Sequence, residues 1–339
     1  MIARILAAAG ACLLLLASAA QAAPAPTSAA PAAAKPAPKA ACNRQCLMDV
    51  MEKYLTAMGA HDPKRAPLGK GFIYSENGVE LTLPDGLWRT VTKVGDYRLW
   101  VVEPGRDVGV LTNAEENGVG VLVSVRLKMS GRTILGAETL VARQDGAATN
   151  PAQSPNTAPR QVRPQFSQIL KPSERRSRAE LIRIADSYFE GLELNTGDQV
   201  PPFWDSCLRL ENGNQTSSKP LLPGQQLTGI NLGCRESIEL GYYADDTRMR
   251  DRRHLVVDSE RGLVYSSVYF DHDATVRSYK LKNGQTVSVA RTAPWTWQIH
   301  EVFQIRDGKI DQVEAVLLSA QYGQRPVFRD GVRMPSHGR

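Results

Sequence analysis

Histidine is scarce in this chain. Five histidines are scattered over 339 residues, none at ligand spacing from another, and no His-Glu-x-x-His occurs, so nothing points to a metal enzyme. Neither a Gly-x-Ser-x-Gly elbow nor a glycine-rich phosphate loop with its lysine is present, which removes the common hydrolase and nucleotide-binding signatures. Beyond the opening segment no run is apolar enough to span a bilayer. Charge of one sign is also in short supply, the formal net charge being +6. Arg248, Arg250, Arg252 and Arg253 cluster, but Asp245, Asp246 and Asp251 dilute them. A nucleic-acid partner is therefore not indicated; the basic residues read as solvated charge, with binding to an anionic cell surface as the lesser alternative.

What is present begins with an export signal. Arg4 precedes an apolar stretch from Ile5 to the leucines near Leu15, and Ala20-Gln21-Ala22 supplies a small-residue cleavage site, so residues 1–22 read as a signal peptide. Residues 23–40, almost all Ala, Pro, Ser and Lys, read as a disordered tether. The expected location is exported, periplasmic or extracellular. Cys12 lies inside the signal, which leaves Cys42, Cys46, Cys207 and Cys234 to form disulfides. Three pairings are possible. Cys42–Cys46 with Cys207–Cys234 is favoured because each bridge then stays within one half of the mature chain.

Those halves repeat. Leu47, Val50, Met51, Tyr54, Leu55 and Met58 lie at helical spacing, and Leu181, Ile184, Ala185, Tyr188, Phe189 and Leu192 reproduce it. A proline-bearing loop follows each, then an identical Glu-Asn-Gly at Glu76-Asn77-Gly78 and Glu211-Asn212-Gly213. Val101-Val102-Glu103 matches Val256-Val257-Asp258, and Arg126 to Leu140 resembles Phe303 to Leu317. One α+β unit is duplicated, over residues 41–143 and 173–328. A proline-rich linker covers 144–172, and 329–339 is a free tail. Ser177 and Glu180 predict a capping box at the second helix. Only the second copy carries an insertion, 275–292, read as a hairpin turning at Asn283-Gly284. It serves either as a lid or as an edge for homodimer contact.

A helix, a proline-bearing loop and a long antiparallel sheet ending in Lys309-Ile310-x-x-x-Glu314 resembles the SnoaL-like, ketosteroid-isomerase-like, NTF2-like cone. Ala60-His61-Asp62-Pro63 and Asp307-Gly308-Lys309-Ile310 are typical of it. The tandem further resembles a group of exported fungal and bacterial proteins, through Cys42-x-x-x-Cys46-Leu47, Arg250-Asp251-Arg252-Arg253, Arg261-Gly262-Leu263-Val264, Phe270-Asp271-His272 and Tyr322-Gly323. The resemblance implies two tandem cone-shaped domains, each a curled antiparallel sheet closed by helices around a deep pocket.

Chemistry in such a pocket needs a proton-transferring group whose pKa burial has moved toward neutrality. Tyr265, Ser267, Tyr269 and Asp271 share one face of a strand, against Thr112, Ala114, Glu116 and Gly118 at the matching stretch of the first copy. On the next strand Gln298, His300 and Val302 face one way, and Trp297, Ile299, Glu301 and Phe303 the other. The expected function is a cofactor-free, metal-free lyase, dehydratase or isomerase acting on a small apolar or aromatic molecule in the second cone. His300 is its base, Tyr265 and Tyr269 orient the substrate, and Asp205 sits at the mouth. Trp204, Trp297, Tyr188 and Arg253 contact substrate. Structural roles compete at each position: Tyr188 and Tyr54 as core, His300 satisfied at an interface, Asp205 as a cap, and Glu314 or Glu138 paired with Arg253 or Arg98. The competing function is a non-catalytic small-molecule-binding or protein-interaction module.

Overall fold

The computed structural model describes residues 41–144, 154–225 and 227–337. The expected signal peptide and tether, and part of the linker, lie outside these residues. The first repeat runs α1 (Arg44–Gly59), β1 (Leu68–Glu76), β2 (Val79–Leu81), the single turn α2 (Leu87–Thr90), β3 (Val91–Val102), β4 (Val108–Glu116), β5 (Val119–Ser130) and β6 (Thr133–Ala142). After a short α3 (Pro164–Ser167), the second runs α4 (Arg178–Leu194), β7 (Phe203–Glu211), β8 (Asn214–Gln215), α5 (Cys234–Glu239), β9 (Arg248–Asp258) and β10 (Leu263–His272). It continues with the inserted hairpin β11 (Ser278–Lys280) and β12 (Thr286–Ser288), then β13 (Trp295–Arg306), β14 (Lys309–Ala320) and β15 (Val332–Arg333).

Local chemistry starts both long helices. Asn43 accepts the Cys46 amide at 3.0 Å to cap α1, and Ser177 and Glu180 exchange the two bonds of a capping box on α4. Asn195, left-handed at φ 49°, ends α4.

The two sheets have one topology. Their orders are β2-β1-β6-β5-β4-β3 and β8-β7-β14-β13-β10-β9, with β15 added at the end of the second. β1 runs parallel to β6 and β7 parallel to β14, while the other pairs are antiparallel. The repeated Glu-Asn-Gly fixes the register. Asn77 and Asn212 are left-handed, at φ 51° and 46°, a region that asparagine tolerates. Each side chain makes two bonds to one residue of the neighbouring strand, Asn77 to Val141 at 3.2 and 2.8 Å and Asn212 to Leu317 at 2.8 and 3.0 Å. Val141 thus corresponds to Leu317, and the ladders carry the equivalence onward: Glu138 to Glu314, Ser124 to His300, Gly109 to Tyr265. The counterparts of Tyr265, Ser267, Tyr269 and Asp271 are Gly109, Leu111, Asn113 and Glu115. They lie three residues before the match at Thr112 that composition suggests.

The expected cones are not there. Both sheets are open, ending on different edge strands, and neither closes around a pocket. Under α4 the space a cone would leave free is filled. Tyr188, Phe189, Phe203 and Phe303 interlock edge to face at 5.2 to 6.3 Å, among Val264, Val268, Ile299 and Val313. The first repeat packs Leu47, Met51, Tyr54, Leu55 and Trp88 in the same way. Helical spacing and alternation were legible, but whether the concave side is hollow or solid depends on side-chain volume across the whole sheet.

A third core lies between the sheets. Leu99, Val101, Leu111, Leu122 and Leu140 of the first meet Leu255, Leu263, Tyr265, Val302 and Val316 of the second. The contact is reciprocal, as in an isologous dimer. Arg44, the first residue of α1, binds Asp258 at 2.7 Å, and Arg178, the first of α4, binds Glu103 at 2.7 Å; Glu103 and Asp258 are themselves equivalent. Residues 329–337, expected to hang free, are tied down. β15 pairs with β9, Asp330 binds Arg126 at 2.6 Å, and the His337 amide donates to Glu193 at 3.0 Å.

Candidate functional site

Alternation along β10 and β13 puts Tyr265, Ser267, Tyr269, Gln298 and His300 on one face, as the sequence indicates. That face packs against the first sheet, not into a pocket beneath α4. His300 and Tyr265 are wholly buried there. Tyr265 Oη lies 2.5 Å from Ser124 Oγ and 2.8 Å from His300 Nδ1, and His300 Nδ1 lies 3.1 Å from the same hydroxyl. The imidazole's other nitrogen, Nε2, has no partner and sits 3.9 Å from Glu138, beyond hydrogen-bond reach.

Arg253 donates to Glu138 from both terminal nitrogens and to Ser267 Oγ at 2.9 Å. Burial pushes the Glu138 carboxyl up, but the Arg253 guanidinium outweighs it and holds the group well below the usual carboxylate range. Burial lowers the His300 imidazole despite the pull of Glu138, and raises the Tyr265 and Tyr269 phenols. The cluster is thus a neutral imidazole and a fixed ion pair, closed to solvent. At the equivalent place in the other direction Glu314 accepts from Tyr97 at 2.6 Å and from Arg160 at 3.2 Å. Arg98, the other basic partner expected for Glu138 or Glu314, faces the helix side instead. It pairs with Glu52 of α1 just as Arg252 pairs with Asp186 and Glu193 of α4.

The remaining candidates do not join this cluster. Tyr188 is in the aromatic core under α4, its hydroxyl 3.2 Å from Arg209. Asp205 is exposed on β7. Trp204 beside it donates to the Arg306 carbonyl at 2.9 Å, and its ring is covered by Arg306 and Lys309. Trp297 meets Trp295 edge to face at 4.5 Å; Trp295 is itself sandwiched by His272 at 3.9 Å and Arg291 at 4.3 Å. The residues proposed to share one substrate therefore occupy four separate places. Cys42–Cys46 and Cys207–Cys234 are both disulfides, with Cα atoms 5.3 and 6.0 Å apart.

A family model described as a domain of unknown function, DUF8021, matches residues 174–317, the second repeat. A solved NTF2-like protein of unknown function from Cytophaga hutchinsonii is 15% identical, over 28% of this chain and 87% of that one, with a TM-score of 0.22. A de novo designed protein with a curved β-sheet is 17% identical, over 29% of this chain and 86% of that one, with a TM-score of 0.24. No curated protein matches. Likenesses at these scores carry no argument, and the cone resemblance falls with the open, filled sheets. So does an acid–base lyase or isomerase housed in a second cone. Among the described residues there is also no group of three or more metal-ligating side chains.

Sequence reasoning passed over one group on the helix side. Arg209 binds Glu211 at 3.0 Å, the Tyr243 and Tyr188 hydroxyls at 2.5 and 3.2 Å, and the Thr216 carbonyl at 2.9 Å. Glu301 is buried in the same region, its Oε2 unpartnered. Burial first, and Glu211 second, push its carboxyl up to about 8. Two carboxyls share one guanidinium, so one of them keeps its proton. A glutamate between Ile299 and Phe303 on an apolar strand face was the available signal.

Proposed function

We propose that the protein is a non-catalytic binding module whose two sheets form one rigid scaffold, acting in an oxidising compartment. One observation carries this reading: His300 and Tyr265, the best acid–base pair in the sequence, are fully buried between the sheets and bonded to Ser124 of the other repeat. No substrate reaches a proton there without separating the repeats. Space for a ligand lies at the rim. One cleft of about 760 Å³ opens between the inserted hairpin and β14, bordered by Tyr242, Tyr279, Trp295 and Arg143. Another of about 650 Å³ lies between β3, β4 and residues 157–162. Both are of ligand-binding size. The two disulfides support the compartment.

The test is native mass spectrometry of the full-length purified protein for retained small molecules, beside a turnover panel of carbonyl and hydroxyl compounds. Retained or titratable ligand without turnover is the expected result. Turnover proportional to protein and abolished in a folded Tyr265→Phe variant would overturn it.

A further inference from the structure

The end of the chain builds a concave site at the outer edge of the second sheet. After β14 it passes through Gly323 and Pro326, is anchored by Asp330 on Arg126, and returns as β15 along β9. Between this return and the first residues of β9 lies a cleft of about 390 Å³ whose walls carry Arg248, Arg250, Arg325, Arg329 and Arg333. Its size is at the lower end of ligand-binding clefts.

The acids near it are already committed. Asp271, fully buried behind the cleft, takes Arg248 at 2.5 Å and Arg250 at 2.8 Å. Asp251 takes Arg250 at 3.1 Å and Arg333 at 2.8 Å. Arg325 and Arg329 have no acidic partner among the described residues, and both are exposed. Five guanidiniums against two carboxylates leave an excess of three positive charges around one small cavity. Arg250 is the fixed member: its side chain is 12% exposed, lies over the Tyr269 ring at 4.8 Å, and is held through Nε by Asp271 and through Nη1 by Asp251, its Nη2 being buried.

Like charges held this close repel unless an anion lies among them. Guanidinium forks match the oxygens of a tetrahedral oxyanion and bind it through paired, charge-assisted hydrogen bonds. A single carboxylate would leave most of the excess uncompensated. The alternation Arg248-x-Arg250 reads as diluted surface charge in the sequence because Asp245, Asp246 and Asp251 stand close to it. In the fold Asp246 pairs with His272, Asp251 and Asp271 are used in orienting the arginines, and residues 325–333 bring three more guanidiniums.

We propose that this cleft binds a tetrahedral dianion, the phosphate or sulfate group of a small molecule or of a lipid headgroup, with Arg325 and Arg329 as the uncommitted donors and Arg250, held by Asp251 and Asp271, as a fixed positive charge at its wall. The proposal rests on the binding-module reading and names its ligand class.

The experiment titrates the full-length protein at constant ionic strength with inorganic phosphate, sulfate, glycerol 3-phosphate and chloride, by calorimetry and thermal shift. In parallel it measures co-sedimentation with phosphatidylcholine vesicles with and without phosphatidic acid. Saturable binding of at least one dianion or of the acidic vesicles, with no response to chloride, is expected. Arg325→Ala/Arg329→Ala should weaken it at least about tenfold, the loss of one or two charge-assisted bonds, while the midpoint of unfolding in chloride stays unchanged. Arg325→Lys/Arg329→Lys should restore part of it. Binding of the soluble ester assigns the ligand to solution, and binding confined to acidic vesicles assigns it to a headgroup. A response equal in the double-alanine variant, or none to any dianion or vesicle, would overturn the site. If that negative result came with another ligand retained in native mass spectra, the binding-module reading would stand without it; turnover would instead remove that reading.

Discussion

Glu301 gives the sharpest test of how the second repeat is packed. Its carboxyl is buried beside Glu211 and receives only the part of Arg209's charge that Glu211 does not neutralise. It therefore releases its proton at about 8, where an unperturbed glutamate does so near 4.5. The folded form thus holds a proton that the unfolded chain has lost over this interval. The resulting stability is fully present below pH 4.5 and disappears as pH rises through about 8. From pH 5 to pH 8 the loss amounts to about 3 kcal/mol. Glu301→Gln places a neutral group of nearly the same shape at the site and removes the dependence. Relative to wild type, the variant should be close to neutral at pH 5 and more stable by about 3 kcal/mol at pH 8. Urea unfolding of the full-length protein at intervals across this range reads the difference directly. Glu211→Gln supplies the control, since it frees Arg209 to face Glu301 and should flatten the same slope. Parallel pH profiles for wild type and Glu301→Gln would refute the assignment of the buried proton.

Three further outcomes follow from the contacts between and within the repeats. Glu138→Gln strands Arg253 without its carboxylate in a wholly buried position and should cost about 3–5 kcal/mol in chemical denaturation; because the Glu138 carboxyl is held low when folded, wild type should lose stability as pH falls below 4.5 and the variant should lack that slope. Replacing both cysteines of Cys207–Cys234, which spans 27 residues, should cost about 3–4 kcal/mol, against about 2 for Cys42–Cys46, whose loop is much shorter; equal losses would show that loop entropy is not the main term. Gly109→Ala should cost about 1–3 kcal/mol by overpacking, since a methyl there meets the Tyr265 ring at 2.8 Å, and a thermal midpoint equal to wild type would mean the sheets separate freely at that point.

The duplicated elements were legible because they rest on short-range signals. Tyr54 and Tyr188 sit at matching points of two amphipathic helices, and the paired Glu-Asn-Gly marks a turn whose asparagine must be left-handed and must pin a neighbouring strand. The alternation of β10 and β13 was legible too. Which face of those strands looks into a cavity was not. Both faces carry aromatic and apolar residues, since one lies under α4 and the other against a second sheet, and a strand buried on both sides has no polar side to orient it. His300 then reads as a catalytic base when placed in a hollow, and as a structural group when placed between sheets. The part played by residues 325–333 was hidden for a different reason. Their arginines acquire meaning only beside Arg248 and Arg250, more than seventy residues away in sequence, and only after Asp251 and Asp271 are seen to be engaged.

Fusion of the repeats explains why the residues that look catalytic lie where they do. Ser124 and His300 are equivalent positions, and they touch each other, so they lie on the local twofold relating the repeats. Gly109 and Tyr265 are equivalent and also in contact. In a homodimer every such position meets its own copy: two histidines would face each other, and two tyrosines would need the same volume. Two serines with two glycines would leave a void instead. A single chain can differ at the two sites, placing a small residue opposite a large one and a hydroxyl opposite an imidazole. The contrast between a plain first repeat and a polar, aromatic second one is then what close packing across a twofold requires once the halves are free to diverge. It needs no substrate to account for it. That is why the asymmetry of the sequence supports a sealed interface, while the ligand is sought at the rim.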